Sequence, residues 1–124
     1  MVSRIIPVEP FDLVIFGGTG DLARRKILPG LFRRFCAGQM PDRAQIIGAA
    51  RGELDDARYR TLIAEAIIEF AKPSAEDHAQ IEGFLKHLAF VSIDAKGTRG
   101  WEALGSRLRD DVVRAFYFSV APAL

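Results

Sequence analysis

The run Gly17-Gly18-Thr19-Gly20-Asp21-Leu22-Ala23, followed by Arg24, Arg25 and Lys26, joins small residues to a carboxylate and then to three cations. Its Gly17-x-x-Gly20-x-x-Ala23 spacing fits a dinucleotide-binding turn, where glycines allow a tight turn and close backbone approach to a pyrophosphate. A small third residue lets the helix pack on the strand. A helix starting at such a turn presents unpaired N–H groups and partial positive charge, which stabilise a pyrophosphate without any side chain. The glycines alone also fit a purely structural turn; the strand before them and the helix after them favour the binding reading. Arg24, Arg25 and Lys26 stand at the helix end where positive charge is unfavourable, and an anionic ligand would offset that. Arg24 and Arg25 suit a solvated face with stems over apolar surface, which leaves Lys26 as the cation with a functional reading. Asp21 reads first as a helix cap and second as a ligand contact.

The residue ending the next strand chooses between dinucleotides, since an acid there holds a ribose 2′-hydroxyl and an arginine accommodates a 2′-phosphate. That residue is Arg51, with Glu53 two places too late for the ribose role, so NADP is the expected cofactor. Gly52 leaves room for the phosphate and the adenine. Thr19 could add a hydroxyl to the same phosphate, although a turn threonine often bonds its own backbone. Asp94 lies either near the adenine or at a plain helix cap.

The elements that must position these groups are legible from apolar patterning. Phe11, Leu13, Val14, Ile15 and Phe16 form a continuous apolar run, as expected of a strand buried on both faces of a parallel sheet. Residues 21–37 carry Leu22, Ala23, Ile27, Leu28, Leu31, Phe32 and Phe35 at helical spacing, with Gly38 as a stop and a bend expected at Pro29. Residues 44–50 read as the second strand. A helix through Leu54, Leu62, Ile63 and Phe70 follows and stops near Pro73. Ser74 and Asp77 then suggest a capping box for a further helix through Ile81, Phe84 and Leu85. Residues 88–93 read as the third strand, Trp101, Leu104 and Leu108 as the stripe of another helix, and residues 115–120 as the fourth strand. Alternation of this kind implies an α/β fold, a Rossmann-type parallel sheet with flanking helices, incomplete at about four strands in the order 3-2-1-4. The fourth strand would form an aromatic, uncharged edge, open to self-association.

One domain over residues 1–124 is expected, with half its residues apolar. With 17 basic and 16 acidic residues, the net charge of +1 gives no general attraction to nucleic acid or to an anionic membrane. The first ten residues resemble neither a signal peptide nor a membrane span, so a cytoplasmic location is expected. Cys36 is the single cysteine, which excludes an internal disulfide, and no metal site is expected. His78 and His87 read as solvent-facing residues on or near a surface helix. A reductase of the short-chain type would need Tyr-x-x-x-Lys, and neither Tyr59 nor Tyr117 is followed by lysine at that spacing.

Residues 14–32, with the Gly-Gly-Thr-Gly-Asp-Leu-Ala-Arg-Arg-Lys run and Pro29, strongly resemble the N-terminal coenzyme segment of the glucose-6-phosphate dehydrogenase family. The likeness extends through Ile47-Gly48-Ala49-Ala50-Arg51 and to residues 116–122. It implies that residues from Gly17 to Ala23 hold the NADP pyrophosphate and Arg51 the 2′-phosphate, while Lys26 reaches toward the nicotinamide and sugar phosphate. The reaction implied is oxidation of D-glucose 6-phosphate to 6-phosphogluconolactone with reduction of NADP, the entry to the oxidative pentose phosphate pathway. In the family the catalytic histidine, its carboxylate partner and most sugar phosphate ligands lie in a downstream segment and a large C-terminal α+β domain. No catalytic residue is therefore expected in this chain, which reads as a fragment, a truncated product or one part of a split protein. Another class of function, a non-catalytic NADP-binding or interaction module, stays open at this point.

Overall fold

The computed structural model describes residues 9–94 and 100–118. Four parallel strands, β1 (Phe11–Phe16), β2 (Gln45–Ala50), β3 (Leu88–Ser92) and β4 (Val113–Phe118), form one sheet in the order β3-β2-β1-β4. This is the doubly wound order the alternating pattern predicts. Helices α1 (Leu28–Cys36), α2 (Asp56–Ala66), α3 (Ala75–His78) and α4 (Ile81–Leu85) lie in the first two crossovers, and α5 (Trp101–Arg107) lies in the third.

Strand pleating sends alternate residues to opposite faces, and each face has its own core. Ile15, Ile46, Leu88 and Phe90 pack with Leu28, Phe32, Tyr59, Ile63 and Phe84 on one side. On the other, Val14, Phe16, Ile47, Ala49 and Val91 pack with Leu104 of α5. The change of face between β3 and β4 places a topological switch point between the C-terminal ends of β1 and β4, where ligands of such sheets bind.

Several sequence-based boundaries move. The expected bend at Pro29 takes the form of a π-turn over Ala23–Ile27, in which the Leu28 N–H donates to the Ala23 carbonyl. Pro29 follows this π-turn inside a helix that runs on to Cys36, so the widened turn accommodates its missing N–H. A second π-turn, Ile67–Ala71, follows α2 and ends at Lys72, whose φ is 47° just before Pro73. The single helix expected after Ser74 is two short ones. Ser74 Oγ accepts from the Asp77 N–H at 3.1 Å, but before Ile81 the hydrogen bonding tightens, with the Gln80 N–H donating to the Asp77 carbonyl at 2.9 Å. The fourth strand begins two residues earlier than expected, and positions 119 and 120 lie outside the described residues.

β4 is an open edge. Val113, Phe116, Tyr117 and Phe118 are all exposed, although Phe118 stacks on Phe16 with ring centroids 4.9 Å apart. At the opposite, N-terminal end of the strands sits a buried carboxylate that composition alone does not announce. Asp12 accepts from the Arg109 N–H at 2.7 Å, from Arg109 Nη2 at 2.7 Å and from Gln45 Nε2 at 3.0 Å. Arg109 Nη2 also donates to the carbonyls of Phe11 and Arg43. Burial acts to raise the Asp12 carboxyl, but the Arg109 and Gln45 donors outweigh it and hold it below the ordinary carboxylate range. One side chain thus ties β1 to β2 and to the segment leading into β4.

Candidate functional site

The turn after β1 is fixed from three sides. Gly17 has φ of 79°, a conformation that an L side chain strains. The Gly17 and Gly18 N–H groups both donate to the Ala49 carbonyl, at 2.8 and 3.3 Å, so the turn is seated against the end of β2. Within it the Gly20 N–H donates to the Gly17 carbonyl at 2.9 Å, which closes a β-turn with Gly18 and Thr19 at its centre. A Cβ on Gly18 would stand 2.7 Å from Gly48 Cα, so the two backbones touch where any side chain would separate them.

Beneath the turn lies Tyr59 of α2, fully buried, and sequence patterning gives it no site role. Its hydroxyl donates to the Gly18 carbonyl at 3.0 Å, and its ring lies against Gly48 so closely that a Cβ there would be 2.3 Å from Cζ. Burial pushes the Tyr59 phenol well above its ordinary range, so it stays a donor at any physiological pH. A signal was available in Gly48, because glycine inside a strand of branched residues marks close approach by another group.

The helix start departs from expectation at Asp21. Its carboxylate caps no backbone N–H; it accepts from Arg25 Nε at 2.9 Å and lies 3.9 Å from Arg24 Nη2. Cations spaced three and four residues away win the carboxylate from the helix end. Arg25 follows the solvated reading, with its guanidinium 5.1 Å from the Phe70 ring centroid. Arg24 does more, because its Nε donates to the Thr19 carbonyl at 3.0 Å and braces the turn. Leu22 is exposed, Ala23 is fully buried against the sheet, and Lys26 is exposed on the π-turn.

Arg51 stands immediately after β2 with its side chain 72% exposed, 3.9 Å from the Asp94 carboxylate. The Ile93 N–H donates to the Ala50 carbonyl at 2.9 Å, which holds Asp94 beside Arg51. The structure therefore brings the glycine turn and Arg51 to the same end of the sheet, at the C-terminal ends of neighbouring strands. Neither histidine joins them. His78 is exposed in α3. His87 is not a solvent-facing helix residue; it follows α4, is half-buried, places Nδ1 2.7 Å from the Ala44 carbonyl and packs edge-on against Phe35. That contact is at the N-terminal end of β2, away from the turn. Among the described residues, no group of three or more His, Cys, Asp or Glu is placed to hold a metal ion.

Comparison with known proteins gives a consistent outcome. The family described as "Glucose-6-phosphate dehydrogenase, NAD binding domain" matches residues 14–124. The chain is 47% identical over 126 aligned positions to glucose-6-phosphate 1-dehydrogenase of Rhizobium meliloti (strain 1021), covering 100% of this chain and 26% of that protein. Against the enzyme of the same name from Mycolicibacterium smegmatis the identity is 41%, over 95% of this chain and 25% of the relative. Among solved structures it is similar to a glucose-6-phosphate dehydrogenase in complex with its substrate glucose-6-phosphate. There the TM-score is 0.77 at 25% identity, over 98% of this chain and 26% of that one. The Mycobacterium avium enzyme gives a TM-score of 0.80 at 25% identity, covering 92% of this chain and 24% of its own. The chain thus spans about a quarter of the length of the relatives it matches.

Proposed function

From the premise that this chain belongs to the glucose-6-phosphate dehydrogenase family and carries its nicotinamide dinucleotide-binding domain, we propose that it binds NADP as the coenzyme portion of a glucose-6-phosphate 1-dehydrogenase. The observation that carries the choice of NADP is Arg51. It is a largely exposed guanidinium at the end of β2, beside the glycine turn, with a long contact to the Asp94 carboxylate. A guanidinium in that place is a bidentate partner for a phosphate, and a hydroxyl offers it far less.

In this reading Gly17, Gly18, Thr19, Gly20, Asp21, Leu22 and Ala23 form the pyrophosphate cradle, and the missing side chain at Gly18 lets that turn seat against Gly48 at the start of the helix. Arg51 holds the 2′-phosphate, and Lys26 extends from the π-turn toward the nicotinamide and the sugar phosphate. NADP supplies a hydride acceptor for oxidation of the C1 hydroxyl of D-glucose 6-phosphate to the lactone, the entry to the oxidative pentose phosphate pathway. In this reading this chain's residues bind and orient, and the general base belongs to the downstream part of the family; His78 is exposed in α3 and His87 bonds at the N-terminal end of β2, away from the turn. No helix among the described residues is long and apolar enough to cross a membrane. The open β4 edge suits pairing with a further strand, including that of a second copy of this chain.

The test is a titration with NADP followed by an assay with glucose 6-phosphate on the same preparation. Saturable NADP binding without sugar-dependent NADPH is expected. Absence of NADP binding would contradict the coenzyme role, and appreciable turnover would show that a base exists within these residues.

A further inference from the structure

The Tyr59 phenol is buried and spends its hydrogen bond on the carbonyl of the central peptide of the β-turn, at 3.0 Å. In a trans peptide the carbonyl and the following N–H point in opposite directions, and no cis bond occurs among the described residues. A Gly18 carbonyl held inward therefore turns the Thr19 N–H outward. Among the described residues that N–H has no intramolecular acceptor. Rotation of the central peptide by half a turn is the motion that separates type I from type II geometry, and it would drive Thr19 to positive φ. Thr19 and Gly18 both keep negative φ here. Gly48 makes the arrangement feasible, because only a residue without Cβ lets the Tyr59 ring reach under the turn.

We propose that Tyr59 is a positioning residue for the dinucleotide pyrophosphate: by holding the Gly18 carbonyl inward it presents the Thr19 amide to the phosphates. This rests on the reading that the turn holds NADP. The alternative is a buried tyrosine that merely satisfies its hydroxyl on the nearest carbonyl. The two differ in which ligand feels the loss. Adenosine 2′-monophosphate engages the Arg51 side of the site and carries no pyrophosphate, whereas NADP needs both.

Tyr59→Phe keeps the ring and removes the hydroxyl. NADP affinity is expected to fall by about three- to tenfold, the equivalent of one hydrogen bond, with adenosine 2′-monophosphate affinity unchanged. Equal losses for the two ligands, or no loss for NADP, would overturn the proposal. In the unsubstituted chain the Thr19 amide resonance is expected to move on adding NADP and to stay in place with adenosine 2′-monophosphate; a Thr19 amide indifferent to NADP would overturn it without any variant. If the parent chain binds adenosine 2′-monophosphate but not NADP, the pyrophosphate assignment itself fails, and this proposal with it.

Discussion

Gly48→Ala is expected to destabilise the chain by about 3 kcal/mol or more and to abolish measurable dinucleotide binding, although it adds one methyl group. The new Cβ would lie 2.3 Å from Tyr59 Cζ and 2.4 Å from its hydroxyl oxygen, inside any tolerable contact. The ring has nowhere to go, because Tyr59 is fully buried and packs against Phe90 with centroids 5.2 Å apart. Displacing it also withdraws the donor from the Gly18 carbonyl and loosens the contact between Gly18 and Gly48. Urea unfolding of Gly48→Ala, Tyr59→Leu and the double variant measures this. The double variant should be more stable than the sum of the single losses implies by about 1 kcal/mol or more, since the shorter side chain vacates the space. A Gly48→Ala protein as stable as its parent would refute the packing described here.

Asp12→Asn is the second large effect, expected at about 3 kcal/mol, or roughly 10 °C in Tm for a chain of this size. The substitution keeps the shape and strands Arg109, whose guanidinium remains among the Phe11 and Arg43 carbonyls without its counter-charge. The pH dependence has a definite sign. Because the folded Asp12 carboxyl lies below its ordinary value, the unfolded chain takes up the proton first as pH falls. The stabilisation is complete above the ordinary carboxylate range and is lost as pH drops through it toward the folded value. Thermal melts from neutral pH down to about pH 3 should show a falling Tm for the parent and a shallower fall for Asp12→Asn. Parallel curves would show that Asp12 carries no such linkage.

The parts of the fold legible in the sequence are those encoded locally. The apolar run into Gly17 and the helical stripe through Phe32 gave β1, the turn and α1, and strand–helix alternation gave the sheet order, because parallel strands require crossovers. Long-range polar choices were not legible. Asp12 sits in a strand as a lone acid and Arg109 follows a helix 97 residues later, and nothing local couples them. In the sequence Tyr59 stands out only as a tyrosine without a lysine four places on; that it faces a glycine on the sheet is decided by how α2 packs across β2. The position of Asp21 alone suggests a cap, yet two arginines on the same helix compete for it and win. A continuous helix is expected after Ser74, whereas the Gln80 N–H turns back to the Asp77 carbonyl and separates α3 from α4.

The most direct test of the coenzyme role is calorimetric titration of the parent chain and Arg51→Ala with NADP and with NAD at one ionic strength. The contact between Arg51 and Asp94 is solvent-exposed, so its loss should leave the fold unchanged. A charge-assisted contact to a 2′-phosphate implies a loss of about ten- to a hundredfold for NADP. NAD, which has no such phosphate, should change by less than about threefold, within what an exposed ion pair contributes. Equal losses for the two dinucleotides, or an unchanged NADP affinity, would contradict the assignment of Arg51 to the 2′-phosphate and of this chain to NADP.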